Sequence, residues 1–365
     1  MTSVIIVDVR GVITKSSRDV LLRHAEYGAA LQRLKSDATL YVLSRDDVHN
    51  HFSSSELKII SAKSIFVFLK KGVQLLKVLE GPILLVSGDP WESFFASLLL
   101  RRISKKYAPI QVQLHADIGS ENWRTLNLRN RIRYIFTTHS LRRADQIRCV
   151  SNSQLLNLAK VSSFAKSKAV VIPVPIKVNP NWIQDRKIDS NCCIAIVGRI
   201  HKDRGIREFV RVCVILINRF PSLKILVIGE GPHKNWLNNL LEKEGLHNSS
   251  YFLGNKSQQE LSSLWKTFGC VVSLAPSEAF GRTARESLIY GVPVIARDSS
   301  GISSLKDSYQ GRGIWIIDTL SDDELVDLFK LLLDWIVPIE VGEAVIKEAN
   351  SLSEKLAESW LEASK

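Results

Sequence analysis

The sequence predicts an α/β protein built from two Rossmann-like, doubly wound parallel sheets, one in each half of the chain. Three observations lead there. At 365 residues the chain suits two domains of ordinary size. Short continuous apolar runs alternate with helix-like amphipathic segments through both halves, and strands apolar on both sides belong to parallel sheets covered on both faces. Between the halves, "VIPVPIKVNPNWIQDRKIDSN" sets three prolines among polar residues, which marks a linker near residues 175–190.

The elements follow in order. In the first half the strand-like runs are "VIIVDV" (4–9), "TLYVLS" (39–44), "PILLVSG" (82–88), "IQVQLHA" (110–116), "IRCVS" (147–151) and "AVVIPV" (169–174). In the second they are "CCIAIVG" (192–198), "LKILVIG" (223–229), "YFLG" (251–254), "CVVSLAP" (270–276), "VPVIA" (292–296) and "GIWIID" (313–318). Each is short, rich in β-branched residues and bounded by turn formers. The chain closes in helix-like "DDELVDLFKLLLDWIV" and "SLSEKLAESWLEASK". The expected domains are 1–178 and 179–345, with 346–365 a helix packing back toward the first. No shorter repeat and no low-complexity tract interrupts this pattern.

Composition narrows the class. With 45% hydrophobic and 24% charged residues the chain reads as globular rather than disordered. Its five cysteines, odd in number and without a Cys-x-x-Cys pair, read as reduced, buried thiols and not as a disulfide frame or zinc site. No apolar stretch approaches the ~20 residues of a membrane span, and "MTSVIIVDVRGV" enters a strand directly, without signal-peptide architecture. The expectation is a cytoplasmic protein, or one peripheral on the inner face of the cytoplasmic membrane.

The net charge of +12 is unevenly placed. Residues 1–180 hold 27 Lys and Arg against 13 Asp and Glu, whereas the remainder is nearly neutral. Such asymmetry points to an anionic partner for the first half. The basic residues mix with apolar ones in "SELKIISAKSIFVFLKKGVQLLKVL" (55–79) and "NWRTLNLRNRIRYIFTTHSLRR" (122–143). Both segments suit an anionic bilayer, although a helix covering a sheet also needs one apolar face.

In open parallel sheets ligands bind beyond the carboxyl ends of the strands, so the loops of the second half matter most. "GRIHKDRG" (198–205) holds Arg199 and Arg204 five apart, and "GEGPHKNW" (229–236) is a glycine loop. "SEAFGRTARE" (277–286) joins an apolar strand to a helix and carries Glu278 and Glu286. A strand, a glycine turn and a helix N-terminus bind phosphate through backbone N–H groups and the helix dipole. Carboxylates beside such a site make sense when they accept hydrogen bonds from hydroxyls.

"GRIHKDRG", "VIGEGP", "YFLG" and "PSEAFGRTARESLIYGVPVIARDSSGI" resemble, in order and spacing, the C-terminal half of family 4 glycosyltransferases, retaining enzymes of the GT-B fold with a donor cleft between two Rossmann-like domains. The resemblance covers residues 192–320 well and reaches the first half more loosely, through "VSGDPWESFFASLLL", "QVQLHADIGS" and "RADQIRCVSNS". It implies that Arg199 and Arg204 bind the donor diphosphate together with Gly281, Arg282 and Thr283. Arg204 stands where the family usually has Lys. Glu286 would hold the ribose, and Glu278 and His115 the transferred sugar, as the catalytic residues. Gly229, Gly231 and Gly254 would form the nucleotide loop. Where many relatives carry Gly-Gly after the first strand this chain has Gly11 alone, which suggests a remodelled phosphate or acceptor contact around Arg10, Arg18 and His24.

The activity implied is transfer from a UDP-, GDP- or ADP-sugar, as co-substrate, to a glycan or lipid-linked glycan acceptor. The resemblance implies a front-face reaction, in which the departing phosphate takes the acceptor's proton. No cofactor and no metal are expected, since no Asp-x-Asp follows an apolar strand and the histidines lack ligand spacing. Alternatives stay open: a nucleotide-sugar-binding scaffold or an epimerase on the same architecture, and a nucleic-acid-binding protein, for which no recognition motif is present. A dinucleotide-dependent dehydrogenase is poorly supported, because neither half has Gly-x-Gly-x-x-Gly after its first strand.

Overall fold

The computed structural model describes residues 1–15, 18–46, 54–176, 193–333 and 335–365. Most of the expected linker, and Cys192, lie outside these residues. The chain forms two units, Met1–Pro175 with Ser351–Lys365, and Ile176–Asn350.

The first unit holds a seven-stranded sheet: β1 (Ser3–Asp8), β2 (Thr39–Ser44), β3 (Leu57–Ser61), β4 (Ile83–Ser87), β5 (Ile110–Leu114), β6 (Gln146–Cys149) and β7 (Ala169–Val171). All pairings are parallel and the order is β3-β2-β1-β4-β5-β6-β7. The second holds β8 (Cys193–Val197), β9 (Lys224–Ile228), β10 (Ser250–Gly254), β11 (Cys270–Ser273), β12 (Val294–Ala296) and β13 (Ile314–Ile316), parallel throughout in the order β10-β9-β8-β11-β12-β13. Alternate residues of β1 show why the strands are apolar on both sides. Val4 and Ile6 enter one core, with Tyr27, Leu31 and Leu356, and Ile5 and Val7 enter another, with Phe68, Phe94 and Leu100.

Segment 55–79 is not one element. Its start is the edge strand β3, with Lys58 exposed, and Ser64 then caps the helix Ile65–Val78 by accepting a hydrogen bond from the Val67 N–H at 3.3 Å. Three apolar residues beside a long amphipathic run concealed the strand. Segment 122–143 is likewise broken. A short helix Glu121–Thr125 precedes Asn127, whose side chain accepts from the Asn130 N–H at 2.8 Å and starts the helix Leu128–Ser140.

Polar residues inside the first sheet find partners on the last helix, Leu352–Ala363. Gln111 on β5 is fully buried, accepts from Trp360 Nε1 at 2.9 Å and donates to Ser359 Oγ at 3.0 Å. Ser359 in turn donates to Gln146 on β6. A buried amide left without partners is costly, so this helix completes the sheet that it covers. Arg148 on β6, also buried, binds the carbonyls of Ile172 and Pro173 and the side chain of Gln113. The described cysteines, Cys149, Cys193, Cys213 and Cys270, are buried, and burial pushes the Cys149 thiol up to about 12.

Trp360 is 1% exposed and meets Tyr27 edge-to-face at 6.1 Å. Trp360→Ala is expected to cost about 3–5 kcal/mol, through the lost ring and the stranded Gln111 amide. Urea unfolding checks it, and a loss below about 1 kcal/mol would show that the helix docks without contributing to the core.

Candidate functional site

The second sheet reverses direction at β8. The chain runs outward from β8 to β9 and β10, then returns to β11 on the other side. Ligand crevices form at such switch points. β8 and β11 pair only at Cys270 with Ile194 and Val271 with Ala195, although both strands run two residues further. Where they part, a cavity of about 100 Å3 opens. Its walls include Arg199 and Arg204 from the loop after β8, and Glu278, Gly281 and Thr283 from the loop after β11.

The loops are held backbone against backbone. A Cβ on Gly229 would lie 2.0 Å from the Gly198 carbonyl oxygen, and one on Gly231 would lie 2.1 Å from that of Ile200. Gly229 donates its N–H to the Gly254 carbonyl at 2.8 Å. These glycines allow three loops to stack, and none of them walls the cavity. Gly281, at φ +72°, starts the helix Arg282–Ile289 in a left-handed conformation, and no side chain caps that helix. Its first N–H groups are therefore without a side-chain acceptor beside the cavity.

The charges pair closely. Arg204 Nη1 donates to Glu278 Oε2 at 2.5 Å, and Glu278 Oε1 accepts from the Phe280 N–H at 3.4 Å. One helical turn in, Glu286 is 5% exposed, and its Oε1 accepts from Arg282 Nε at 2.8 Å and from Gln258 at 3.4 Å. Arg282 thus turns to Glu286 and does not wall the cavity. Arg199 is exposed and makes no ion pair among the described residues. The arrangement offers two guanidinium groups, a helix N-terminus and one carboxylate to a ligand that carries anionic and hydroxyl groups together. Among the described residues no three His, Cys, Asp or Glu side chains are placed to share a metal ion.

Residues 179–340 match the family model described as glycosyl transferases group 1. That match spans most of the second unit and a little under half of the chain. An uncharacterized glycosyltransferase of Methanocaldococcus jannaschii is 25% identical over 202 residues, 52% of this chain and 51% of that relative. The chain spans about half, or less, of the length of the curated relatives that it matches. Among solved structures, the Anabaena protein HepE in complex with UDP and glucose superposes with a TM-score of 0.71 at 15% identity, covering 98% of this chain and 99% of that one. Sucrose-phosphate synthase from Thermosynechococcus elongatus gives a TM-score of 0.75 at 16% identity, covering 98% and 97%. The two parallel-sheet α/β units are those of the GT-B architecture.

Within the matched unit, Arg285 was not singled out by its sequence. It is 6% exposed, donates to the carbonyls of Phe280 and Gly301 and to Ser304 Oγ, and lies 4.1 Å over the Phe280 ring. Burial lowers its pKa to about 10, so it stays charged at neutral pH. It clamps the Glu278 loop to the helix Ser300–Tyr309, where Gly301 also donates its N–H to the Glu278 carbonyl at 2.6 Å. The sequence carried no local signal for this role, since the burial of its neighbours Ala284, Ser287 and Leu288 is set by the fold.

The remaining expected residues lie in the first unit. His115 follows β5 and is exposed. The dense protein around it nevertheless disfavours the imidazolium and, with Arg148 and Arg23 nearby, lowers its pKa to about 3. It is neutral at pH 7. Gly11, at φ +66°, passes the Arg45 carbonyl so closely that a Cβ would lie 2.6 Å from its oxygen. The Asp8 carboxylate accepts from the N–H groups of Val12 and Ile13 at 3.0 and 2.8 Å and fixes that turn. Arg10 pairs with Asp89 at 3.2 Å, Arg18 is exposed, and His24 is buried beside Tyr27. The structure therefore does not gather Arg10, Arg18 and His24 into one cluster by any contact among the described residues.

Two predictions follow from these environments. Arg285→Met is expected to lower the stability of the second unit by about 2–4 kcal/mol, because it strands buried carbonyls. Arg211→Met, which removes an exposed pair with Asp322, costs under about 1 kcal/mol. Equal losses in denaturant titrations would remove the clamp. Burial lowers the His24 pKa from its ordinary value to about 4, so its neutral form contributes stability above about pH 6.5 that is lost as pH falls toward 4. His24→Gln should flatten that fall by an amount on the order of 3 kcal/mol, read from urea midpoints across this window.

Proposed function

We propose that this protein is a retaining glycosyltransferase that moves a sugar from a nucleotide-sugar to a glycan or lipid-linked glycan acceptor. The observation that carries the reading is the placement of Arg199, Arg204, Glu278 and the uncapped start of the helix Arg282–Ile289 on one cavity at the switch point of the matched unit. Arg199, Arg204, Gly281 and Thr283 would neutralise the diphosphate as charge builds on it in the transition state. The Arg204–Glu278 pair then opens or shares, and frees Glu278 to accept hydrogen bonds from the transferred sugar. Glu286, oriented by Arg282, would receive the ribose hydroxyls. HepE was solved with UDP and glucose, which favours UDP-sugars among the donors. Among the described residues no side chain in the cavity is placed as a conventional nucleophile beside a general acid, which favours a front-face reaction in which the protein chiefly binds and orients. Basic surface in the first unit suits a lipid-linked or phosphate-bearing acceptor and a peripheral position on a membrane.

Thermal shift with UDP, GDP and ADP and their sugar conjugates tests the donor reading. A ligand at about 100 times its Kd adds ~2.7 kcal/mol of stability. One nucleotide should stabilise the wild type and lose most of that effect in Glu286→Ala. Glu278→Ala should keep nucleotide binding within about threefold and lose turnover by at least 100-fold, the size of a removed transition-state contact. Equal nucleotide affinity in wild type and Glu286→Ala would reject the ribose assignment, and no shift from any nucleotide would reject the donor reading.

A further inference from the structure

The two faces of the first sheet are unlike. One is covered by the helices Arg18–Leu34 and Leu352–Ala363, which together carry four Lys and Arg against five Asp and Glu. The other is covered by Ile65–Val78, Glu92–Ser104 and Leu128–Ser140, which carry eight Lys and Arg against one Glu. The three helices are neighbours. Phe68 and Leu76 of the first share a core cluster with Phe94 and Leu100 of the second. Trp91, just before the second helix, donates to Thr137 of the third, and Arg133 of the third lies 4.2 Å over the Trp91 ring and pairs with Glu92 at 3.4 Å. That pair engages the only carboxylate on the three helices.

The outward positions of the same helices are apolar where a solvated helix carries polar side chains. Phe66 and Val78 are 81% and 78% exposed on the first. Phe95, Leu99 and Ile103 form a stripe at four-residue spacing on the second, and Leu128, Ile132 and Phe136 do so on the third with Ile135 beside them, all of them exposed. Between them stand Lys70, Lys77, Arg102, Arg129 and Arg131, exposed and without an ion pair among the described residues. Contiguous exposed apolar surface marks an interaction site, and the unpaired cations say what kind.

The geometry points to this three-helix face as a docking surface for an anionic lipid bilayer, with Phe66, Phe95, Leu99 and Ile103 entering the head-group boundary and the lysines and arginines reaching lipid phosphates. A second copy of the chain fits poorly, because a self-complementary contact would oppose like charge to like charge. Nucleic acid fits less well, because Leu99, Ile103, Leu128, Ile132 and Ile135 interrupt the exposed phenylalanines and would stay in water against a polar backbone. The inference deepens the lipid-linked acceptor of the proposed function and rests on that reading for its purpose. Vesicle binding and nucleotide binding are nevertheless separate measurements.

The full chain should sediment with vesicles of phosphatidylcholine and phosphatidylglycerol at low salt, and at least about tenfold less with phosphatidylcholine alone. The double variant Lys70→Glu with Lys77→Glu should weaken binding at least about tenfold. Phe95→Ser with Leu99→Ser should abolish the part that survives high salt. Both variants should keep the wild-type melting temperature and nucleotide shift, which reports the donor reading independently. No sedimentation with anionic vesicles at low salt overturns the proposal, even with the nucleotide shift intact. So does a dimer in analytical ultracentrifugation that Phe95→Ser dissolves, or binding to a DNA duplex that matches vesicle binding and ignores the serine substitutions.

Discussion

One buried guanidinium organises the candidate site. Arg285 replaces its lost hydration with the carbonyls of Phe280 and Gly301, the Ser304 hydroxyl and the face of the Phe280 ring. Those groups belong to the loop that carries Glu278 and to the next helix, so the clamp joins the two. Gly281 and Gly301 pass close enough that a Cβ on Gly301 would lie 2.4 Å from the Phe280 nitrogen. A loop packed this tightly has little freedom. Glu278 and the start of the helix Arg282–Ile289 are therefore set by packing made on folding, which is what electrostatic preorganisation requires.

The cavity places opposite charges in contact. Arg204 and Glu278 hold each other at 2.5 Å on its wall, and Arg282 and Glu286 do the same at 2.8 Å one turn away. Each carboxylate is more buried than its arginine partner. The pairing limits the cost of keeping carboxylates beside a helix N-terminus that favours anions. It also fixes which face of each carboxylate remains for a ligand.

In the first unit the division of labour runs through the sheet. The face under the C-terminal helix is closed by Trp360, Tyr27 and the Gln111 amide, and its charges balance. The opposite face presents basic and apolar side chains together. A chain whose basic excess lies within residues 1–180 thus concentrates much of it on one side of one unit, where it acts as a surface and not as a scattered solubilising charge.

Much of the fold was legible because parallel strands buried on both faces are continuous apolar runs, and twelve of the thirteen strands announce themselves that way. β3 did not, because an edge strand is short, carries Lys58 and runs directly into an amphipathic helix. The sequence by itself determined the two-sheet class, the loops that carry Arg199, Arg204 and Glu278, and the charge asymmetry, all of which depend on local pattern and composition. Only the tertiary structure decided that Arg285 is a clamp, that Arg282 turns to Glu286, and that Gly229 and Gly231 let neighbouring loops stack backbone against backbone. It also decided that three separate helices share one basic, apolar face. The physical reason is common to all of these: each depends on which residues distant in sequence come within contact distance, and local periodicity carries no information about that.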